Sequence, residues 1–67
     1  MIERILTTGQ IAKVMGVSMR KVVEWIDNKQ LKGFIIPGST HRRVEERYLR
    51  EFMRTLGVSE DRLEMLD

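Results

Sequence analysis

The chain has 67 residues, no cysteine, one histidine, one proline and a net charge of +2, with 42% hydrophobic and 33% charged residues. A chain this short forms one domain at most and buries only about 60% of the surface that its unfolded form exposes. Disulfides and cysteine-based zinc sites are excluded, a lone histidine builds no metal cage, and no cofactor or metal is expected.

The first ten residues, MIERILTTGQ, lack the basic start and apolar stretch of a secretory signal. No apolar run approaches the length of a membrane span, so no membrane partner is expected. The absence of cysteine suits a reducing cytoplasm.

The small net charge conceals an asymmetry. Residues 1–43 carry eight Lys/Arg against three Asp/Glu, a balance of +5, whereas residues 44–67 carry four against seven, a balance of −3. A basic front with an acidic back suits a domain that meets a polyanion on one face. Ordinary surface charge is the competing explanation.

Thr7 followed by Gln10 fits a capping box, so a helix is predicted to start there. Ile11, Ala12, Val14 and Met15 form its apolar side, and Gly16 is the expected C-cap. Ser18 caps a second helix over Met19 to Asp27, in which Val22, Trp25 and Ile26 share one buried face. Asn28, which tolerates the left-handed conformation, closes it with Lys29, and Leu31 follows as a core anchor. Only Gly16, Val17 and Ser18 lie between the two helices. Val17 plugs their crossing while Ala12 lets the axes approach, a helix-turn-helix pattern.

Two β-prone pieces, Lys32 to Ile36 and His41 to Val44, bracket Pro37-Gly38-Ser39-Thr40 and predict a hairpin. Phe34, Ile36 and Val44 are expected to point inward. A helix is predicted over Glu45 to Thr55, with Val44, Tyr48, Leu49, Phe52, Met53 and Leu56 tracing its apolar stripe and Gly57 stopping it. Val58 onward forms a tail, with a short helix capped at Ser59, expected to fray or to pack against a neighbouring molecule. The expected core is Ile11, Ala12, Met15, Val17, Val22, Trp25, Ile26, Leu31, Phe34, Val44, Tyr48, Leu49 and Phe52.

Three segments together, LTTGQIAKVMGVS, KVVEWIDNKQL, and PGSTHRRV followed by YLREFM, resemble the small MerR-like, excisionase-type winged helix-turn-helix domains. The resemblance covers Leu6 to Gly57. It implies a DNA-binding domain at residues 1–57, mainly α with a small β-hairpin, followed by a tail at 58–67. Its second helix would lie in the major groove and its hairpin wing along the neighbouring backbone or minor groove. The family pattern places a serine cap at Ser18, an arginine at Arg20, Thr or similar at Lys21, valine at Val22 and Trp-Ile at Trp25-Ile26. Val23 and Glu24 stand where relatives often carry basic residues, and Lys29 falls near the family's glycine after the second helix. The family's Gly-His-Arg-Arg is spread over Gly38-Ser39-Thr40-His41-Arg42-Arg43.

On that reading Ser18, Arg20, Lys21 and Glu24 belong to the recognition helix. Cations in a first helical turn oppose the helix dipole, and a phosphate or base edge would compensate them. The plain alternative is two solvated charges. Glu24 either accepts from cytosine or restrains a neighbouring cation, Arg20 at i, i+4 being the expected partner. Ser39, Thr40, His41, Arg42 and Arg43 form the wing, where hydroxyls and arginines reach phosphates or simply build a turn. Consecutive Arg42 and Arg43 point to opposite strand faces, so one contacts DNA while the other bonds across to the helices. Thr8, Lys13, Lys29 and Lys32 are expected flanking phosphate contacts, with solvated surface as the alternative.

The partner expected is double-stranded DNA, bound by a transcriptional regulator or by an excisionase-type architectural factor in recombination. One module covers a modest footprint, so self-association or cooperative side-by-side binding is expected. A bacterial or phage nucleoid location follows from the resemblance, and no small-molecule effector is evident. A rival reading is a protein-interaction module using Leu56, Val58, Leu63, Met65 and Leu66 as an apolar seam. No catalytic residues are expected, because no nucleophile-base pair, carboxylate dyad or phosphate loop is legible.

Overall fold

The computed structural model describes residues 4–66. In chain order the elements are β1 (Ile5–Thr7), α1 (Thr8–Met15), α2 (Met19–Asp27), β2 (Phe34–Ile35), β3 (Arg42–Glu45), α3 (Glu46–Leu56) and a closing 3₁₀ segment, Glu60–Leu66.

The capping box at α1 forms as predicted. Thr7 Oγ1 accepts from the Gln10 amide at 3.1 Å, and Gln10 Oε1 accepts from the Thr7 amide at 2.9 Å. Gly16 adopts φ 70°, a left-handed conformation that glycine takes without a Cβ penalty. The Val17 amide then donates to the Ala12 carbonyl at 3.0 Å and turns the chain sharply. Ser18 Oγ accepts from the Lys21 amide at 3.2 Å and starts α2. Ile11, Ala12 and Val14 of α1 and Val22 and Ile26 of α2 are buried between the two helices and the rest of the core. An eight-residue helix is unstable alone, so α1 exists through this packing.

The end of α2 departs from expectation by one residue. Asn28 has φ −86°, and it is Lys29 that turns left-handed, at φ 61°. The Gln30 and Leu31 amides both donate to the Trp25 carbonyl, which folds the chain back and seats Leu31 in the core. A lysine in this region is strained relative to glycine. Lys29→Gly is expected to stabilise the protein by about 0.5–1 kcal/mol, read as a higher thermal midpoint.

The hairpin forms between β2 and β3, and it gains a strand that the sequence did not announce. The sheet order is β1-β3-β2, all antiparallel, with Leu6 opposite Val44 and Phe34 opposite Arg43. Leu6 and Val44 are both fully buried. That register puts Gly33 beside Val44 on the inner face, so Phe34 lies on the outer face and is 45% exposed. The inward assignment of Phe34 is therefore wrong by strand parity, since the inner position of this strand belongs to a glycine. Ile36 is half-buried, and its amide donates to the His41 carbonyl. A Pro37-Gly38 turn, closed by the Ser39 amide on the Ile36 carbonyl at 3.0 Å, forms the tip.

Glu45 ends β3 and precedes α3, which runs to Leu56 and closes at Gly57. Leu49, Phe52 and Met53 are its buried residues. Met15, Val17, Trp25 and Tyr48, expected in the core, are half-buried at its margin. Trp25 meets Phe52 edge-on at 4.9 Å between ring centroids, a packing role and not an open stacking platform.

The tail packs on the chain's own core. Leu63 is 2% exposed within the same core, and the Arg62 Nε donates to the Val14 carbonyl at 2.6 Å. That bond satisfies a carbonyl in the last turn of α1 and places a cation where the helix dipole favours one. Glu60 accepts from Arg50 and from Arg54, whose guanidinium holds the Glu60 carboxyl below its ordinary range. Three of the five apolar residues proposed for a seam, Val58, Leu63 and Leu66, are thereby spent on the chain's own core. Leu56 and Met65 remain exposed.

Candidate nucleic-acid interface

The exposed face of α2 carries Arg20, Lys21, Glu24 and Asp27, opposite the buried Val22 and Ile26. Val22 and Ile26 anchor the helix by i, i+4 spacing, which leaves the polar positions outward. Arg20 is exposed and, among the described residues, has no ion-pair partner. Glu24 pairs with Lys21 at 3.7 Å, an i, i+3 contact, and not with Arg20 as the spacing suggested. Both geometries are available on a helix surface, and the shorter lysine reach across one turn is the one adopted. Ser18 serves as the N-cap, so its hydroxyl is already engaged.

Lys13 and Lys29 are exposed and likewise without an ion-pair partner among the described residues. Lys32 is exposed and rests on Tyr48. Its Nζ donates to the Tyr48 hydroxyl at 3.2 Å and sits 4.5 Å from the centre of the Tyr48 ring. Thr8 opens α1 and is half-buried.

At the wing, Ser39 Oγ accepts from the His41 amide at 3.0 Å, and Thr40 and His41 are exposed at the tip. Arg42 and Arg43 alternate as a strand requires. Arg42 turns toward α2, where Nε and Nη2 donate to the two Asp27 carboxylate oxygens at 2.9 and 3.2 Å. Arg43 takes the outer face between Thr7 and Phe34 and donates to the Arg42 carbonyl at 2.9 Å. The arginine that bonds across to the helices is thus Arg42. Asp27 ends the predicted second helix, but this role was not legible there, because its partner lies fifteen residues away.

The arginines of α3 have a different environment. Glu46 accepts from Arg4 and Arg50, Glu60 from Arg50 and Arg54, and Glu45 from Arg47. Arg47, Arg50 and Arg54 are neutralised locally, whereas among the described residues Lys13, Arg20, Lys29, Lys32, Arg43 and Arg62 have no ion-pair partner.

Among the described residues no group of three or more His, Cys, Asp or Glu is placed to hold a metal ion. No helix among them is long and apolar enough to cross a membrane.

Two helices joined by a three-residue corner, backed by a small sheet whose hairpin flanks the second helix, define a winged helix-turn-helix. A helix-turn-helix domain family matches residues 5–61, and the chain belongs to that family. Its role is that of a helix-turn-helix DNA-binding domain, with DNA as the partner, and the excisionase-type resemblance read from the sequence agrees with it. No curated protein and no solved structure matches the chain.

Proposed function

We propose that the protein reads a specific duplex sequence with α2 in the major groove and regulates transcription from it. The carrying observation is the division of charge: the α3 arginines are paired with carboxylates, while Arg20, Lys13 and Lys29 stand exposed with no ion-pair partner among the described residues. Cations without an intramolecular partner are available to a phosphate backbone, which compensates them. Arg20, in the first turn of α2, suits bidentate contact to a guanine O6 and N7. Lys21 and Glu24, held together, present a restrained pair beside it and lower indiscriminate attraction to DNA. Thr40 and His41 at the wing tip, with Ser39 bracing the turn, lie against the neighbouring backbone. Thr8 adds an amide and a hydroxyl at the start of α1.

A single module of this size buries about 600–1,000 Å² on DNA, so copies assemble side by side to reach a useful specificity. The setting is the cytoplasm, on the nucleoid. Duplex titration at several salt concentrations tests this reading. Affinity is expected to fall steeply with salt, and Arg20→Ala is expected to cost about 1–3 kcal/mol, concentrated at one base position. Failure to bind any duplex at low salt, randomised pools included, overturns it.

A further inference from the structure

Asp27 puts a negative charge at the end of α2, on the outward face that also bears Arg20 and Glu24. By charge alone it opposes a polyanion there. Its carboxylate, however, is gripped at both oxygens by Arg42, and Arg42 Nη1 donates to the Thr40 carbonyl at 3.3 Å. Every nitrogen of that guanidinium is therefore in use, two on the last residue of α2 and one at the wing tip. A fork facing a carboxylate in two parallel bonds fixes direction as well as distance.

The wing needs such a tie. β2 pairs with β3 over two residues only, and both of its residues, Phe34 and Ile35, are exposed. Val44 is the deeply buried anchor of β3, and it lies at the base of the hairpin. Beyond it the hairpin's backbone bonds, that of the Ile36 amide to the His41 carbonyl among them, hold strand to strand and not the tip to α2. We infer that Asp27 and Arg42 form a clamp that sets the wing against the recognition helix, Arg42 acting as a positioning residue that takes no phosphate. The inference rests on the DNA-binding reading above.

Four variants, titrated over a range of salt on a duplex selected from a randomised pool by the parent protein, test it: Asp27→Asn, Arg42→Gln, Arg42→Lys and the double Asp27→Asn/Arg42→Gln. The clamp predicts that Asp27→Asn lowers affinity for the site about tenfold, although it removes a negative charge near DNA. Arg42→Gln loses about the same factor with an unchanged slope of log affinity against log salt, because no counterion was released by a paired arginine. The double variant is no weaker than either single one. Arg42→Lys, which keeps a charge for a phosphate but lacks the fork, binds as poorly as Arg42→Gln. It decides the matter if Arg42→Gln does not fold. The clamp is overturned if Asp27→Asn strengthens binding, if the losses multiply, if Arg42→Gln flattens the slope by about 0.9, or if Arg42→Lys binds as the parent does. A parent protein that binds no duplex brings down the DNA reading and the clamp with it, whereas a parent that binds while Arg42→Lys is normal brings down the clamp alone.

Discussion

Gly33→Ala is expected to destabilise the protein by about 1–3 kcal/mol and to loosen the hairpin from α2. A methyl group built on Gly33 falls 2.9 Å from the Arg43 carbonyl oxygen, 3.1 Å from Val44 Cγ2 and 3.3 Å from Ile26 Cγ2. The first neighbour is backbone in the central strand and has no rotamer to change. The other two belong to buried β-branched side chains, which are stiff at χ1. Gly33 is not among the residues with positive φ, so alanine meets no backbone strain here and the cost is steric. A 67-residue chain has a total stability of roughly 3–10 kcal/mol, which makes this loss a large share. Urea unfolding reads it as a lower midpoint. An alanine variant as stable as the parent would mean that strand and helix do not approach so closely.

The second large effect is expected at Leu63. Leu63→Ala is predicted to cost about 2–5 kcal/mol, the range for emptying a buried leucine site. The residue is 2% exposed and belongs to the cluster that includes Ile11, Val14 and Leu49. Its neighbour Arg62 holds the Val14 carbonyl, and Glu60 holds Arg50 and Arg54. Loss of Leu63 should therefore loosen α1, the first helix of the DNA-binding unit, and not the tail alone. Equilibrium unfolding measures this directly. A change within about 0.5 kcal/mol would show that the closing segment lies outside the cooperative core.

What was legible in the sequence follows from the range of each interaction. The capping box of Thr7 and Gln10, the cap at Ser18 and the turn at Gly16 each involve residues within one helical turn, so their chemistry is written locally. The hairpin was legible from its Pro-Gly turn. Strand β1 was not, because Ile5-Leu6-Thr7 finds its partners at Arg43 to Glu45, beyond both helices and the hairpin turn. Phe34 was misjudged because a strand's parity depends on register, and the register seats a glycine inward where a large residue was expected. The apolar tail read as a spare surface because nothing in a leucine's own neighbourhood says that α1 leaves room for it.

The interface divides in the same manner. The alternation of Arg42 and Arg43, and a helix-directed role for one of them, follow from the period of a strand. Which one, and with what partner, depends on the angle at which the hairpin meets α2. The partner of Glu24 was a choice between two cations one turn away, and helix geometry admits both.

Glu46 and Glu60 each bridge two arginines, Arg50 being common to both. A chain of alternating charge along α3 cancels its own far field within a few ångströms, and the molecule is left with a dipolar distribution of charge. A body with such a distribution is turned by the field of a polyanion before it touches, its α2 and wing side leading. On the function proposed above, encounters then begin already oriented.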